Sequence, residues 1–131
     1  MMKLAKAGFQ IALFVRDMKS ALDFYQDTLG LESKGRDENY TLGAAIHLKC
    51  GDSSLLLIEP ETKTPAGPSW VHAQMGFRYV VFFVENLSEI CEKLQEKKVK
   101  FTIHETKITS QLRIAMIQDP DGNNIQFIER R

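Results

Sequence analysis

Apolar and polar positions run through the same order twice along this chain. Residues 9–15, FQIALFV, are short, apolar and rich in β-forming types, which predicts a strand. Asp17 follows as a helix N-cap, and Met18, Ala21, Leu22, Tyr25 and Leu29 recur at helical spacing. Gly30 stands where a left-handed residue closes a helix. Residues 36–59 hold three predicted strands, with Gly43 and Gly51-Asp52 as turn signals. Prolines at 60, 65 and 68 then mark a linker. After it the order restarts. Tyr79–Val84 is a strand, and Asn86 is a cap with Glu89 as a looser capping box. Leu87, Ile90, Cys91 and Leu94 form a helical stripe, and Glu92–Lys98 reads as that helix's wet face. Val99–Ile103, Arg113–Gln118 and Asn124–Glu129 are predicted strands, the last two joined by the DPDG turn at 119–122.

The two passages superpose. QIALFVRDMKSALDFYQDTLGL (10–31) lies over YVVFFVENLSEICEKLQEKKVK (79–100) at an offset of 69, and LLLIE (55–59) over IQFIE (125–129) at an offset of 70. The expected architecture is therefore α+β. Tandem βαβββ modules form a curved, cavity-enclosing mixed sheet with helices on the outside. A chain of 131 residues fits one domain: module one at about 8–60, a linker at about 61–76 and module two at about 77–131.

Side chains alternate across a strand, so one face of each first strand must cover the helix and the other must face the cavity. Gln10, Ala12 and Phe14 form one such face, and Tyr79, Val81 and Phe83 occupy the matching places in the second module. Leu56 and Gln126 are the corresponding pair in the last strands. Gln10, Tyr79 and Gln126 are then a polar trio among apolar walls, the composition of a small-molecule pocket. The plainer alternative is that the trio bonds to itself or to trapped water. Two outlying residues join the ligand-binding candidates. Trp70 can stack on a flat ligand, or else anchors the linker, and Arg113 can pair an anionic group, or else is a solvated strand-end arginine.

The segments FVRDMKSALDFYQDTLGL (14–31), FVENLSEICEKL (83–94) and DPDGNNIQFIE (119–129) resemble the vicinal oxygen chelate superfamily of glyoxalases, bleomycin-resistance proteins and extradiol dioxygenases. The resemblance covers essentially the whole chain and is not specific to one activity. It implies a homodimer. It also implies four metal positions, one in the first and one in the last strand of each module, here Gln10, Leu56, Tyr79 and Gln126. Leu56 has no donor atom, the glutamines offer neutral amides, and a tyrosine phenol with an ordinary pKa near ~10 supplies no charge at neutral pH. A divalent cation is therefore disfavoured and no cofactor is expected. Glu59 and Glu129 fall on the opposite strand face from those positions and are set aside as ligands. His47, His72 and His104 lack ligand spacing and read as surface or satisfied residues. The leading expectation is a glyoxalase/bleomycin-resistance-like protein that binds a small, partly apolar molecule. The alternative is an enzyme of the same superfamily (a lyase, isomerase or dioxygenase) with an altered metal site or with Tyr79 as its acid or base.

Charge narrows the partners. Lys+Arg and Asp+Glu number 17 each, so no positive excess marks a nucleic-acid partner. No apolar run reaches bilayer-spanning length, the first residues carry no signal-peptide core, and two isolated cysteines suit a reducing compartment, so a cytoplasmic location without membrane contact is expected.

Overall fold

The computed structural model describes residues 1–37, 40–41 and 43–131. They divide into two compact units, Met1–Thr64 and Pro65–Arg131. In the first, strand β1 (Gln10–Phe14) leads to helix α1 (Met18–Leu22), a π-helical segment (Asp23–Thr28), and strands β2 (Glu32–Arg36), β3 (Gly43–Cys50) and β4 (Ser53–Pro60). The second repeats the plan with β5 (Tyr79–Phe83), α2 (Leu87–Glu96), β6 (Phe101–Thr109), β7 (Leu112–Gln118) and β8 (Asn124–Arg130). The tandem βαβββ order is the one expected. Its strands form two four-stranded sheets, ordered β1-β4-β3-β2 and β5-β8-β7-β6. Each is mixed, because β1 pairs parallel with β4 and β5 with β8 while the other ladders are antiparallel. Among the described residues no helix is long and apolar enough to cross a membrane.

One face of each sheet is covered by its helix. In the first unit Leu48, Leu55 and Leu57 are buried, as are Ala21, Phe24 and Tyr25 of the helical stretch. In the second, Leu87, Cys91 and Leu94 of α2 are buried along with Ala115, Ile117, Ile125 and Phe127. Each leucine, isoleucine or phenylalanine among them that is removed from water contributes about 1.5–3 kcal/mol.

Both helices start on a carboxylate sent from the last strand of their own sheet. Glu59 Oε1 accepts from Met18 N and Glu129 Oε1 from Leu87 N, each at 3.0 Å. This satisfies an amide that the helix itself leaves unbonded and sets negative charge at the positive end of the helix dipole. Asp17 caps α1 as expected, accepting from Ser20 N at 2.9 Å and Ser20 Oγ at 2.7 Å. Asn86 departs from expectation. It occupies the N-cap place, yet its side chain makes no cap bond and its amide donates to Glu89 at 3.1 Å. Glu129 does the capping instead, and the charged acceptor makes the stronger bond.

The first helix also differs from a plain α-helix. From Asp23 it widens into the π segment, where Leu29 N donates to Phe24 O at 2.9 Å. Gly30, at φ 81, ends it, and Leu31 N reaches back six residues to Tyr25 O. That closure is one residue wider than the usual Schellman end.

Candidate functional site

The strand registers arrange the helix-free face of each sheet as rows, because paired residues share a face. In the first unit Gln10 pairs with Ser54, Ala12 with Leu56 and Phe14 with Ile58. Across the β4–β3 hairpin those rows continue to Lys49, His47 and Ala45. The polar row is tied together where Ser54 Oγ donates to Gln10 Oε1 at 3.3 Å. Beyond it, Ala45, Leu56 and Ile58 form a buried apolar cluster with Tyr40 packed on it, and His47 stands beside Leu56. Phe14, at the end of its row, is 56% exposed.

The second unit shows the matching arrangement. Tyr79 pairs with Asn124, Val81 with Gln126 and Phe83 with Ile128, and β7 extends the rows with Gln118, Met116 and Ile114. Tyr79 and Phe83 are 50% and 71% exposed, while Val81 and Gln126 are half-buried. Asn124 is buried and its amide donates to Ser69 O at 2.8 Å, tethering the segment before β5 to this sheet. Asp119 holds the DPDG turn, its Oδ1 accepting from Asp121 N and Asn123 N at 2.9 and 2.8 Å.

Eight of the ten sequence-derived binding candidates therefore fall into two groups of four: Gln10, Ala12, Phe14 and Leu56 on one sheet, and Tyr79, Val81, Phe83 and Gln126 on the other. Trp70 and Arg113 stand apart from both groups. Trp70 belongs to the segment before β5. Its indole is exposed and meets His72 edge-on at 5.6 Å, and its carbonyl accepts from Arg78 at 2.8 Å. Arg113 pairs with Glu129 across the ladder, so it lies on the face that α2 covers. There its guanidinium meets Glu105 at 2.7 Å, which leaves it no role on the face that carries Gln126. Glu105 in turn accepts from Ser88 Oγ at 2.7 Å. Burial first, and then the negative charge of Glu105, push the neighbouring Cys91 thiol up to about 11.

Sequence reasoning set His47 aside as a surface or satisfied residue and did not count it among the binding candidates. Its Nε2 lies 3.2 Å from Asp37 Oδ2, and it stands on the helix-free face beside Leu56. The signal was present: a two-residue turn at Gly51-Asp52 pairs Cys50 with Ser53, and counting back along the hairpin sets His47 opposite Leu56.

Residues 9–127 match the model of the Glyoxalase/Bleomycin resistance protein/Dioxygenase superfamily. The chain belongs to that superfamily. YurT of Bacillus subtilis is 29% identical over 126 residues, covering 91% of this chain and 95% of its own length. The crystal structure of SMU.1112c shares the fold at a TM-score of 0.79 and 25% identity, over 96% of this chain and all of that one. TnmS3, an antibiotic binding protein from Streptomyces sp. CB03234, shares it at 0.70 and 24% identity, over 93% of each chain.

Members of this superfamily typically hold a metal, and the residues here do not fit one. Leu56, at one of the four family positions, is 3% exposed inside the apolar cluster with Ala45 and Ile58. Gln10 shares its oxygen with Ser54, and Tyr79 offers a single phenol oxygen. Among the described residues no group of three or more His, Cys, Asp or Glu is placed to hold an ion. Divalent cations of this kind are held by imidazole, thiolate or carboxylate.

Proposed function

We propose that this superfamily member binds a small, partly apolar molecule on the helix-free faces of its sheets without a metal, as a cytoplasmic homodimer. The observation that carries the reading is the set of exposed rings, Phe14, Tyr79 and Phe83, standing beside amide groups on faces that no helix covers. Exposed aromatic rings with a few directed hydrogen-bonding groups suit a flat, largely apolar ligand carrying one or two polar atoms. TnmS3 is named an antibiotic binding protein. That likeness is one of fold, and it guides the choice of first probes. Two unpaired cysteines, Cys50 and Cys91, accord with a reducing compartment.

A thermal-shift screen of flat aromatic antibiotics and thioesters tests the reading, and at least one compound is expected to raise the melting temperature in a concentration-dependent way. Phe83→Ala and Gln126→Ala are each expected to weaken that compound about tenfold, since each removes one buried contact or hydrogen bond. Unchanged affinity in both variants would remove the helix-free faces from consideration. Metal analysis of protein purified without chelator is expected to find substoichiometric metal, and a stoichiometric ion lost on Gln126→Ala would overturn the metal-free reading.

A further inference from the structure

We propose that His47, held by Asp37, is the group on the first unit's helix-free face that selects ligands bearing an acidic hydroxyl, a phenol or an enol. This rests on the binding reading above, since His47 needs a bound molecule to select.

The placement follows from the ladders. His47 pairs with Leu56 on one side and Gly35 on the other. Its ring therefore rises from the same face as Ala12 and Leu56, next to the apolar cluster on which Tyr40 packs. On the β2 side the neighbour is Gly35 at φ 96, which sets no side chain against the ring, and a Cβ there would meet nothing within 4 Å.

The protonation pattern follows from the partner. A carboxylate only accepts, so the Nε2 facing Asp37 carries the hydrogen, and in the neutral ring Nδ1 keeps the lone pair. Nδ1 has no hydrogen-bond partner among the described residues and is not a buried atom. The two side chains are 30% and 26% exposed, accessible to a ligand yet shielded from full solvent. A hydroxyl that donates to Nδ1 draws positive character onto the ring, and Asp37 stabilises that charge from the far side. An ether in the same place has no hydrogen to give. The other charged groups of this row are Lys49, which shares the face two residues along β3, and its partner Glu32.

The second unit supplies an internal contrast. The position equivalent to His47 is Met116, paired with Gln126 as His47 is with Leu56. Thioether replaces imidazole there, so the hydroxyl-selecting group belongs to one unit.

The test is calorimetric titration of the full chain at neutral pH with 2-naphthol and with 2-methoxynaphthalene, which differ in the hydroxyl hydrogen. The unmodified protein is expected to bind 2-naphthol about tenfold more tightly, the worth of one good hydrogen bond. His47→Ala is expected to abolish that preference while leaving the ether's affinity unchanged, and Asp37→Asn to reduce it. Imidazole ¹⁵N spectra of the unmodified protein are expected to show a hydrogen on Nε2 and a resonance shift of Nδ1 when 2-naphthol is added. They give a readout even if a variant fails to fold. Equal affinity for the two compounds, or a preference that survives His47→Ala, overturns the assignment to His47 and leaves the binding reading standing. Binding of neither compound to the unmodified protein overturns the assignment to His47, and the thermal-shift screen decides the binding reading separately.

Discussion

At the scale of single residues, backbone geometry and burial lead to direct expectations. Lys98 has φ 57, a region that costs a side-chain-bearing residue about 1 kcal/mol. It occupies the C′ place of a Schellman motif after α2: Lys98 N donates to Gln95 O and Val99 N to Leu94 O, each at 3.0 Å. Glycine fits that place without strain, although it is also freer in the unfolded chain. Lys98→Gly is therefore expected to stabilise the protein by about 0.5–1 kcal/mol, read as a higher denaturant midpoint at unchanged slope. Cys91 carries the opposite kind of constraint. A thiol pushed up to about 11 is ionised to on the order of one part in a thousand near pH ~8, and the thiolate is the reactive form. An aromatic disulfide reagent is expected to modify Cys50, half-buried and also raised by burial, well before Cys91 in the native protein. Labelling of both at equal rates would contradict the packing of α2 over its sheet.

At the scale of elements, the twin carboxylates at the helix starts make stability depend on pH in a defined direction. The Leu87 amide, and after it the Arg131 side chain, hold the Glu129 carboxyl below its ordinary value of 4.5, against an opposing effect of burial. A carboxylate with a depressed folded value stabilises the fold fully above the ordinary value and loses that contribution as pH falls through the folded one. Melting temperatures of the unmodified protein and Glu129→Gln are therefore expected to differ most near neutrality and to converge in acid below 4.5. A gap independent of pH would place the helix start under other control. These elements also show what was legible beforehand. Short apolar runs rich in β-formers located β1 and β5, the helical stripes located both helices, and Asp17 and Gly30 marked the two ends of the first helical stretch because those signals are local. Strand β2, ESKGR, was expected only after residue 36. It has no apolar alternation, being held by pairing with β3, and a bulge lies between Ser33 and Gly35. Strand β6 runs to Thr109, past the expected end at Ile103, for the same reason: an edge strand is ordered by its neighbour's amides rather than by its own burial. The site was legible to the extent that alternation sets faces. Leu56 and Gln126 were assigned correctly to strand faces, whereas the Asp37–His47 pair joins a strand to a loop and leaves no periodic trace.

At the scale of the whole molecule, the distribution of aromatic side chains bears on assembly. β1 and β5 each end their sheet, and each is five residues of apolar sequence. Exposed rings cluster on and beside them: Phe9 and Phe14 around β1, and Phe77, Tyr79 and Phe83 around β5. A chain of zero formal charge gains little repulsion to keep such terminal strands apart, and sheet-end strands flanked by exposed apolar rings invite pairing. A closed twofold dimer covers the same surface on both copies, whereas an open contact would propagate into aggregates. Sedimentation equilibrium at micromolar concentration is accordingly expected to give twice the chain mass of 14.9 kDa. Placing like charges where the two copies meet costs several kcal/mol, so Phe83→Lys is expected to shift the mass toward that of one chain as the protein is diluted. The ligand arm separates two uses of these rings. If the rings serve the bound molecule rather than the second copy, Phe83→Lys abolishes the thermal shift and leaves the mass unchanged; if they serve the second copy, the mass falls first. A single-chain mass for the unmodified protein at every concentration would dismiss the dimer, with the helix-free faces still open to a ligand.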